Sequence, residues 1–299
     1  MKFTSEKEIK MRISSSNNLH SLPLANPTEY IVSGLEFMKE VGFDAVDFSM
    51  KSIENLSCDW QKHIEAAKEA EKRLGIRHEI CHLPFDGKVA VDPERVLPFK
   101  KKMLRCIEVS AMLGVDYAVL HPNTWNVPLN EYDRRAEYDS VMRHFEPFVK
   151  KAESLGVRLA VENMRLAPSA VPSHRYCQDP DELCEVADAF GIDVCWDFGH
   201  ANIGDLRQSE ALLYVGKRLK VLHVNDNNRI EDDHVPPFSG KVDWRDAMKG
   251  LALSGFDGLF NYEINTVNIP VNLRKSFANY LLDCAKELNG YYSEYKEKN

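Results

Sequence analysis

Short apolar runs alternate along this chain with longer stretches whose apolar positions recur every three or four residues. The first pattern marks buried strands and the second marks amphipathic helices. Strands are predicted at 11–15, 45–49, 76–83, 117–120, 157–163, 192–198, 220–224 and 258–264. Between and after them, helices are predicted at 26–41, 60–74, 92–113, 131–155, 179–190, 205–217, 244–253 and 273–288. Pro27, Pro93 and Pro180 fall at first turns, where a missing N–H is tolerated. Gly75, Gly114, Gly156 and Gly191 fall just past helix ends, where a left-handed cap is needed. Strand–helix alternation implies parallel strands joined by right-handed crossovers. Eight such units predict an α/β fold, a single (β/α)8 TIM barrel over 11–288, with a polar extension at 1–10 and a charged tail at 289–299. The rival is an open doubly wound sheet, which usually carries a glycine-rich nucleotide loop after its first strand. Neither GxGxxG nor GxxxxGK[ST] occurs here.

A barrel keeps its chemistry at the C-terminal ends of its strands. Those ends here are rich in ligands: His82, His121, Glu162, Asp197 with His200 just beyond, His223 and Glu263. Side chains alternate faces along a strand. In VRLAVEN, Glu162 opposes Val157, Leu159 and Val161; in KVLHVND, His223 opposes Leu222 and Val224. In LFNYEI, Glu263 opposes Phe260, Tyr262 and Ile264; in EICHL, His82 opposes Cys81 and Leu83, although Glu79 shares that outer face. Each candidate is therefore expected to point into the barrel. One such residue alone would usually be structural. Several converging ionisable groups desolvate and repel one another unless a divalent cation offsets them. The oxygen-rich set suits Mn²⁺, Mg²⁺, Co²⁺ or Zn²⁺ without choosing among them. The loop after His223 adds an Asp232-x-His234 pair and Arg229, an option for gripping a hydroxyl or an anion. Trp125 and Trp244 are options for walling a sugar-sized pocket, and ordinary packing is the competing option for both.

Composition narrows the partners. The 299 residues carry a formal net charge of −8, against a nucleic-acid partner, and 44% are hydrophobic, enough for a large core. Met1–Lys10 lacks the apolar segment of a secretion signal, and no run approaches the ~18 apolar residues of a membrane span. Seven cysteines, an odd count without a CxxC, read as a reduced, cytoplasmic pattern. A homo-oligomer stays open.

The set VENM, WDFGH, LHVNDN with the following PFSGKVDW, and NYEI resembles the xylose-isomerase-like barrel superfamily from Met11 to about Leu288. That superfamily includes ketose 3-epimerases of the tagatose 3-epimerase type, inosose dehydratases and isomerases, and endonuclease IV. Resemblance to the epimerases implies one divalent metal on Glu162, Asp197, His223 and Glu263, with Glu162 and Glu263 as the acid/base pair. It also implies that His200 and Arg229 contact the substrate, a small sugar or polyol. Resemblance to endonuclease IV implies a three-zinc set: His82, His121, Glu162, Asp197, His200, His223, Asp232, His234 and Glu263. The VPPFSG loop departs from that enzyme's NIGEG-type turn. The expected activity is thus a metal-dependent sugar isomerase or epimerase. A multi-zinc phosphodiester hydrolase, an inosose-type dehydratase and a non-catalytic sugar sensor are the alternatives.

Overall fold

The computed structural model describes residues 11–21, 26–50 and 59–297. The expected N-terminal extension at 1–10, and Cys58, lie outside the described residues. The strands are β1 (Arg12–Ser16), β2 (Ala45–Ser49), β3 (His78–His82), β4 (Tyr117–Leu120), β5 (Leu159–Glu162), β6 (Asp193–Asp197), β7 (Leu219–His223) and β8 (Leu259–Tyr262). They form one parallel sheet in the order β8-β1-β2-β3-β4-β5-β6-β7. A parallel bridge between Val224 and Tyr262 joins β7 to β8 and closes the barrel. Each predicted strand is present, within about two residues at either end.

Alternation divides the interior into two layers. Ala45, Ile80, Val119, Ala160, Cys195, Val221 and Leu259 pack together inside the barrel. Their sequence neighbours Val46, Cys81, Ala118, Leu120, Val161, Val194, Trp196, Leu222 and Phe260 pack outward against the helices. The inner residues, none of them aromatic, fill a narrow barrel, whereas the outer ones, which include Trp196 and Phe260, meet helix faces.

The helices are α1 (Pro27–Val41), α2 (Trp60–Leu74), α3 (Pro93–Leu113), α4 (Arg134–Leu155), α5 (Pro180–Phe190), α6 (Phe198–Ile203), α7 (Gln208–Val215), α8 (Trp244–Ser254) and α9 (Arg274–Lys296). Local chemistry sets their ends. The Asn26 side chain accepts from the amides of Thr28 and Glu29, and Gly42 closes α1 at φ 107°. Two differences from expectation stand out. The stretch predicted as one helix at 205–217 is the shorter α7 and a 3-10 turn, and the unpredicted α6 precedes it. α9 runs to Lys296, past Leu288, because Tyr292 is buried and its hydroxyl donates to the Phe256 carbonyl at 2.7 Å. The segment expected as a charged tail thus continues the helix up to Lys296.

Above the barrel, Asn126–Pro128 and Ser173–Arg175 pair antiparallel, tying the loops after β4 and β5 together. No described helix is long and apolar enough to cross a membrane. The six described cysteines are buried, and none of them forms a disulfide.

His144 on α4 makes one pH prediction. Its Nε2 accepts from Asn123 Nδ2 at 2.9 Å, and burial lowers its pKa to about 4. The folded protein therefore binds fewer protons than the unfolded chain between about pH 6.5 and 4. This contribution to stability is full above 6.5 and is lost as pH falls through that window, to the order of 2–3 kcal/mol. Urea unfolding at several pH values should show that loss, and His144→Gln should remove most of it.

Candidate metal centre

The strand ends deliver the expected ligands to one region. His82, Glu162, Asp197 and His223 are the last residues of β3, β5, β6 and β7, while His121 and Glu263 each follow a strand by one. Glu162, Asp197 and His223 are fully buried, and Glu263 keeps 27% of its side chain exposed. His223 Nδ1 lies 3.1 Å from Glu162 Oε2 and 3.0 Å from Glu263 Oε2. His82 Nε2 stands 3.6 Å from both Glu162 Oε2 and Glu263 Oε1, and His121 Nε2 stands 3.2 Å from Glu162 Oε2.

The ligand atoms fall into two groups. His82, Glu162, His223 and Glu263 offer atoms within 4.8 Å of one another, as do Asp197, His200 and His234. Asp197, expected beside Glu162, His223 and Glu263, thus groups with the histidines of α6 and the β7 loop. Its Oδ1 caps α6 by accepting from the His200 amide at 2.6 Å, and its Oδ2 accepts from Asn225 Nδ2 at 2.6 Å. Asp232 spans the second group, with Oδ2 3.4 Å from His200 Nε2 and Oδ1 3.2 Å from His234 Nε2. Glu162 Oε1, 3.4 Å from His200 Nδ1, faces the second group while Oε2 faces the first.

Three histidines have a defined orientation. Nδ1 of His82, His200 and His234 lies 2.9, 2.7 and 2.9 Å from the carbonyls of Leu83, Asn163 and Glu263. A carbonyl only accepts, so each Nδ1 carries a proton and donates it. In the neutral ring this leaves Nε2 with a lone pair, and each Nε2 looks at carboxylate oxygens. Lone pair facing lone pair is repulsive unless a proton or a cation lies between. Both oxygens of Glu162, both ring nitrogens of His223, Glu263 Oε2 and Asp232 Oδ1 are buried without a hydrogen bond. Buried polar atoms are rarely left so, and a cluster of them in one place fits a divalent cation.

Without a cation, the acids and imidazoles hold one another in charged form. Burial alone would raise the Glu162 pKa, but His121 and His223 hold it well below the ordinary range. Glu263 is likewise held down against burial, by His223 and His234. Burial raises Asp197 to about 6. His200 is pushed up to about 10, because Asp197 and Asp232 outweigh its burial.

The frame around the ligands is made of asparagines, an aspartate and two tight glycines. Asn163 accepts from the Asp197 amide at 2.7 Å and donates to its carbonyl at 3.0 Å, locking the end of β6 to β5. Asp226 accepts from the amides of Asn227, Phe238 and Val242 and from the Trp244 indole, so it shapes the loop carrying Asp232 and His234. A Cβ on Gly240 would sit 2.3 Å from Asp226 Oδ1; on Gly199 it would sit 1.9 Å from Asn225 Oδ1. Gly199→Ala should therefore push Asn225 off Asp197 and destabilise the fold by roughly 1–3 kcal/mol in denaturant titration.

Other expected residues are placed elsewhere. Arg229 is half exposed: Nη1 donates to Asp205 at 2.6 Å and Nε to Asn202 at 3.2 Å, so its guanidinium is already engaged. The arginine that reaches the ligand groups is Arg165, whose Nε donates to Asp232 at 3.1 Å. Trp244 is buried in the core, and Trp125 lines a separate pocket of about 250 Å³. The larger cavity, about 740 Å³, opens beside the first ligand group, with His82, His234 and Glu263 in its wall. Asp47 of β2 also lines it and was not anticipated, because aspartate in a short apolar run carries no motif.

Comparison with known proteins places this architecture. An uncharacterized protein of Methanocaldococcus jannaschii is 25% identical over 266 residues, 85% of either chain. A probable endonuclease 4 of Moorella thermoacetica is 25% identical over 73% of this chain and 78% of its own. A D-psicose 3-epimerase of Enterocloster bolteae is 20% identical over 75% and 73%. Among solved structures, a D-tagatose 3-epimerase-like protein superposes with TM-score 0.67 at 21% identity, covering 93% of this chain and 99% of its own. The D-psicose 3-epimerase of Clostridium cellulolyticum superposes with TM-score 0.71 at 17% identity, covering 93% and 99%. A family model described as xylose isomerase-like TIM barrel matches residues 35–283, most of the chain, and the protein belongs to that family.

Proposed function

We propose that this protein is a divalent-metal-dependent isomerase or epimerase of a small sugar or polyol. The observation that carries this reading is the continuity between the first ligand group and the 740 Å³ cavity, a volume within the usual range for small-molecule sites. His82, Glu162, His223 and Glu263 would hold the cation. Mn²⁺, Mg²⁺, Co²⁺ and Zn²⁺ all suit the set. When bound, it supplies Lewis acidity that stabilises the charge left on a substrate oxygen as a neighbouring C–H proton departs.

The protein's own groups move the proton. Glu263 lines the cavity and, held ionised, is the base that takes a proton from a substrate carbon. Glu162 sits deeper and is the second carboxylate: it would take the proton of a substrate hydroxyl and return it to the opposite face of the enediolate carbon for epimerisation, while Glu263 gives the C–H proton back to that oxygen. Expulsion of a β-hydroxyl from the same enediolate would instead give dehydration. Relatives named D-psicose 3-epimerase support the sugar reading. A panel of ketoses incubated in tritiated water tests it. The metal-loaded protein should exchange a proton α to the carbonyl of at least one, and no exchange across the panel rejects it.

One observation favours a second reading. The Asp197–His200–His234 group with Asp232 is a complete further set of ligands, as expected for a multi-zinc phosphodiester hydrolase. The relative named probable endonuclease 4 points the same way. The acidic charge of the chain and the carboxylates in the cavity wall weigh against DNA. Metal content by mass spectrometry and cleavage of abasic-site DNA separate the two: two or more zinc ions with cleavage select the hydrolase.

A further inference from the structure

Asp47 has no part in either ligand group, and its surroundings are unusual. Val46 and Phe48 face the outer core while Ala45 belongs to the inner layer, so alternation turns Asp47 into the barrel. It is 2% exposed, and the cavity wall is where that surface lies. A relay across three strands sets its orientation. Ser14 Oγ donates to Asn261 Oδ1 at 2.8 Å, which turns the Asn261 amide nitrogen to Asp47 Oδ2 at 3.0 Å. The other oxygen, Oδ1, is buried and has no hydrogen-bond partner.

Burial pushes the Asp47 pKa up, and a carboxyl group held by one oxygen with the other left bare is destabilising in an empty protein. It persists where a bound molecule completes it, and stability is commonly given up at sites that bind. The rest of the wall says what kind of molecule. Ser15, Asn18, Asn265 and Thr266 line the same cavity as Asp47 and Glu263. Among the described residues the wall contains Lys102 and the imidazoles of His82 and His234, which flank Glu263, and no arginine. A phosphate dianion would face two carboxylates there, whereas a hydroxyl donates to Asp47 Oδ1 and exchanges hydrogen bonds with the neutral groups.

We propose that Asp47 is a specificity-determining residue that hydrogen-bonds a hydroxyl of an uncharged polyhydroxylated substrate, in the same cavity wall as His82 and Glu263. This assignment rests on the sugar reading above. It makes the substrate a free ketose or polyol rather than its phosphate ester.

Calorimetric titration of the metal-loaded, full-length protein tests it. The probes are D-tagatose, D-psicose, L-ribulose and myo-inositol, with D-tagatose 6-phosphate as the charged counterpart. At least one neutral probe should bind, and the phosphate should bind at least about tenfold more weakly than the neutral tagatose or not at all. Asp47→Asn and Asp47→Ala should each weaken the neutral probe by about 10- to 100-fold, the range for a hydrogen bond to a charged group. The melting temperature of ligand-free Asp47→Asn should equal or exceed that of the wild type, because a buried acid is replaced by a neutral amide of the same size. Binding of the phosphate alone, no binding by any neutral probe, unchanged affinity in Asp47→Ala, or a lowered melting temperature in Asp47→Asn overturns the assignment. Binding without proton exchange would reject the isomerase reading and leave Asp47 in place. Exchange with unchanged binding in Asp47→Ala would reject Asp47 alone.

Discussion

Glu162→Gln should weaken divalent-metal affinity by more than about 100-fold, the largest effect expected of a single substitution here. Outer partners of metal ligands already cost 10- to 100-fold when replaced, and Glu162 stands inside the ligand group. Its Oε2 is within 3.2 Å of His121 and 3.1 Å of His223, and its Oε1 lies 3.4 Å from His200. Its two oxygens thus face the two groups. Glutamine keeps the size but presents an amide N–H₂ to one side, repelling whatever cation the histidines would share. The metal-free variant should also be less stable than metal-free wild type, because His223, whose pKa is pushed up against its burial by Cys195, Glu162 and Glu263, loses one of those partners. Titration with Mn²⁺ or Zn²⁺ followed by calorimetry measures the first effect and thermal melting the second. Wild-type affinity in Glu162→Gln would show that the buried carboxylate is structural.

Glu263→Gln should lower proton exchange into a ketose by about 10²- to 10⁴-fold, the range for loss of a positioned general acid or base. The side chain is the more accessible of the two glutamates, lies in the cavity wall, and sits 3.0 Å from His223. It also belongs to the first group of candidate ligands, so metal content must be measured in the same samples. Loss of exchange with the cation retained assigns proton transfer to Glu263. Loss that tracks metal content and recovers at saturating metal assigns it a holding role. Exchange at the wild-type rate with full metal removes it from the chemistry.

The two experiments separate the functions of two residues that look alike in the sequence. Both are glutamates at strand ends on inward faces. Their difference is depth: Glu162 is sealed among His82, His121, His200 and His223, whereas Glu263 is reached from the cavity. Depth is set by how far each strand projects past its neighbours, a property of sheet register. Glu162 ends β5 beside Cys195 of β6, while Glu263 lies beyond β8, fixed by its amide donating to the Val224 carbonyl at 3.2 Å.

Most of the barrel was legible because its signals are local. Proline at first turns, glycine at left-handed caps and a period of two in the strands follow from the chain's own geometry. Alternation alone was enough to aim Glu162, His223, Glu263 and His82 inward, and they are found together. The errors fell where local signals run out. α6 is only six residues long, capped by Asp197, which the sequence shows simply as an acid after a strand. The end of α9 depends on Tyr292 finding the Phe256 carbonyl 36 positions away.

The sequence by itself determined the strand–helix order, the inward faces and which acids and histidines stand at the strand ends, since each depends on bond geometry within a few residues. Only the tertiary structure decided how those ends are shared out. It placed Asp197 with His200 and His234 rather than with Glu263, engaged Arg229 with Asp205 and brought Arg165 to Asp232. It also put Asp47 beneath the cavity with one oxygen bare. These outcomes depend on which strand lies beside which, in what register, and where each loop returns. Contacts between residues far apart in the chain set all three.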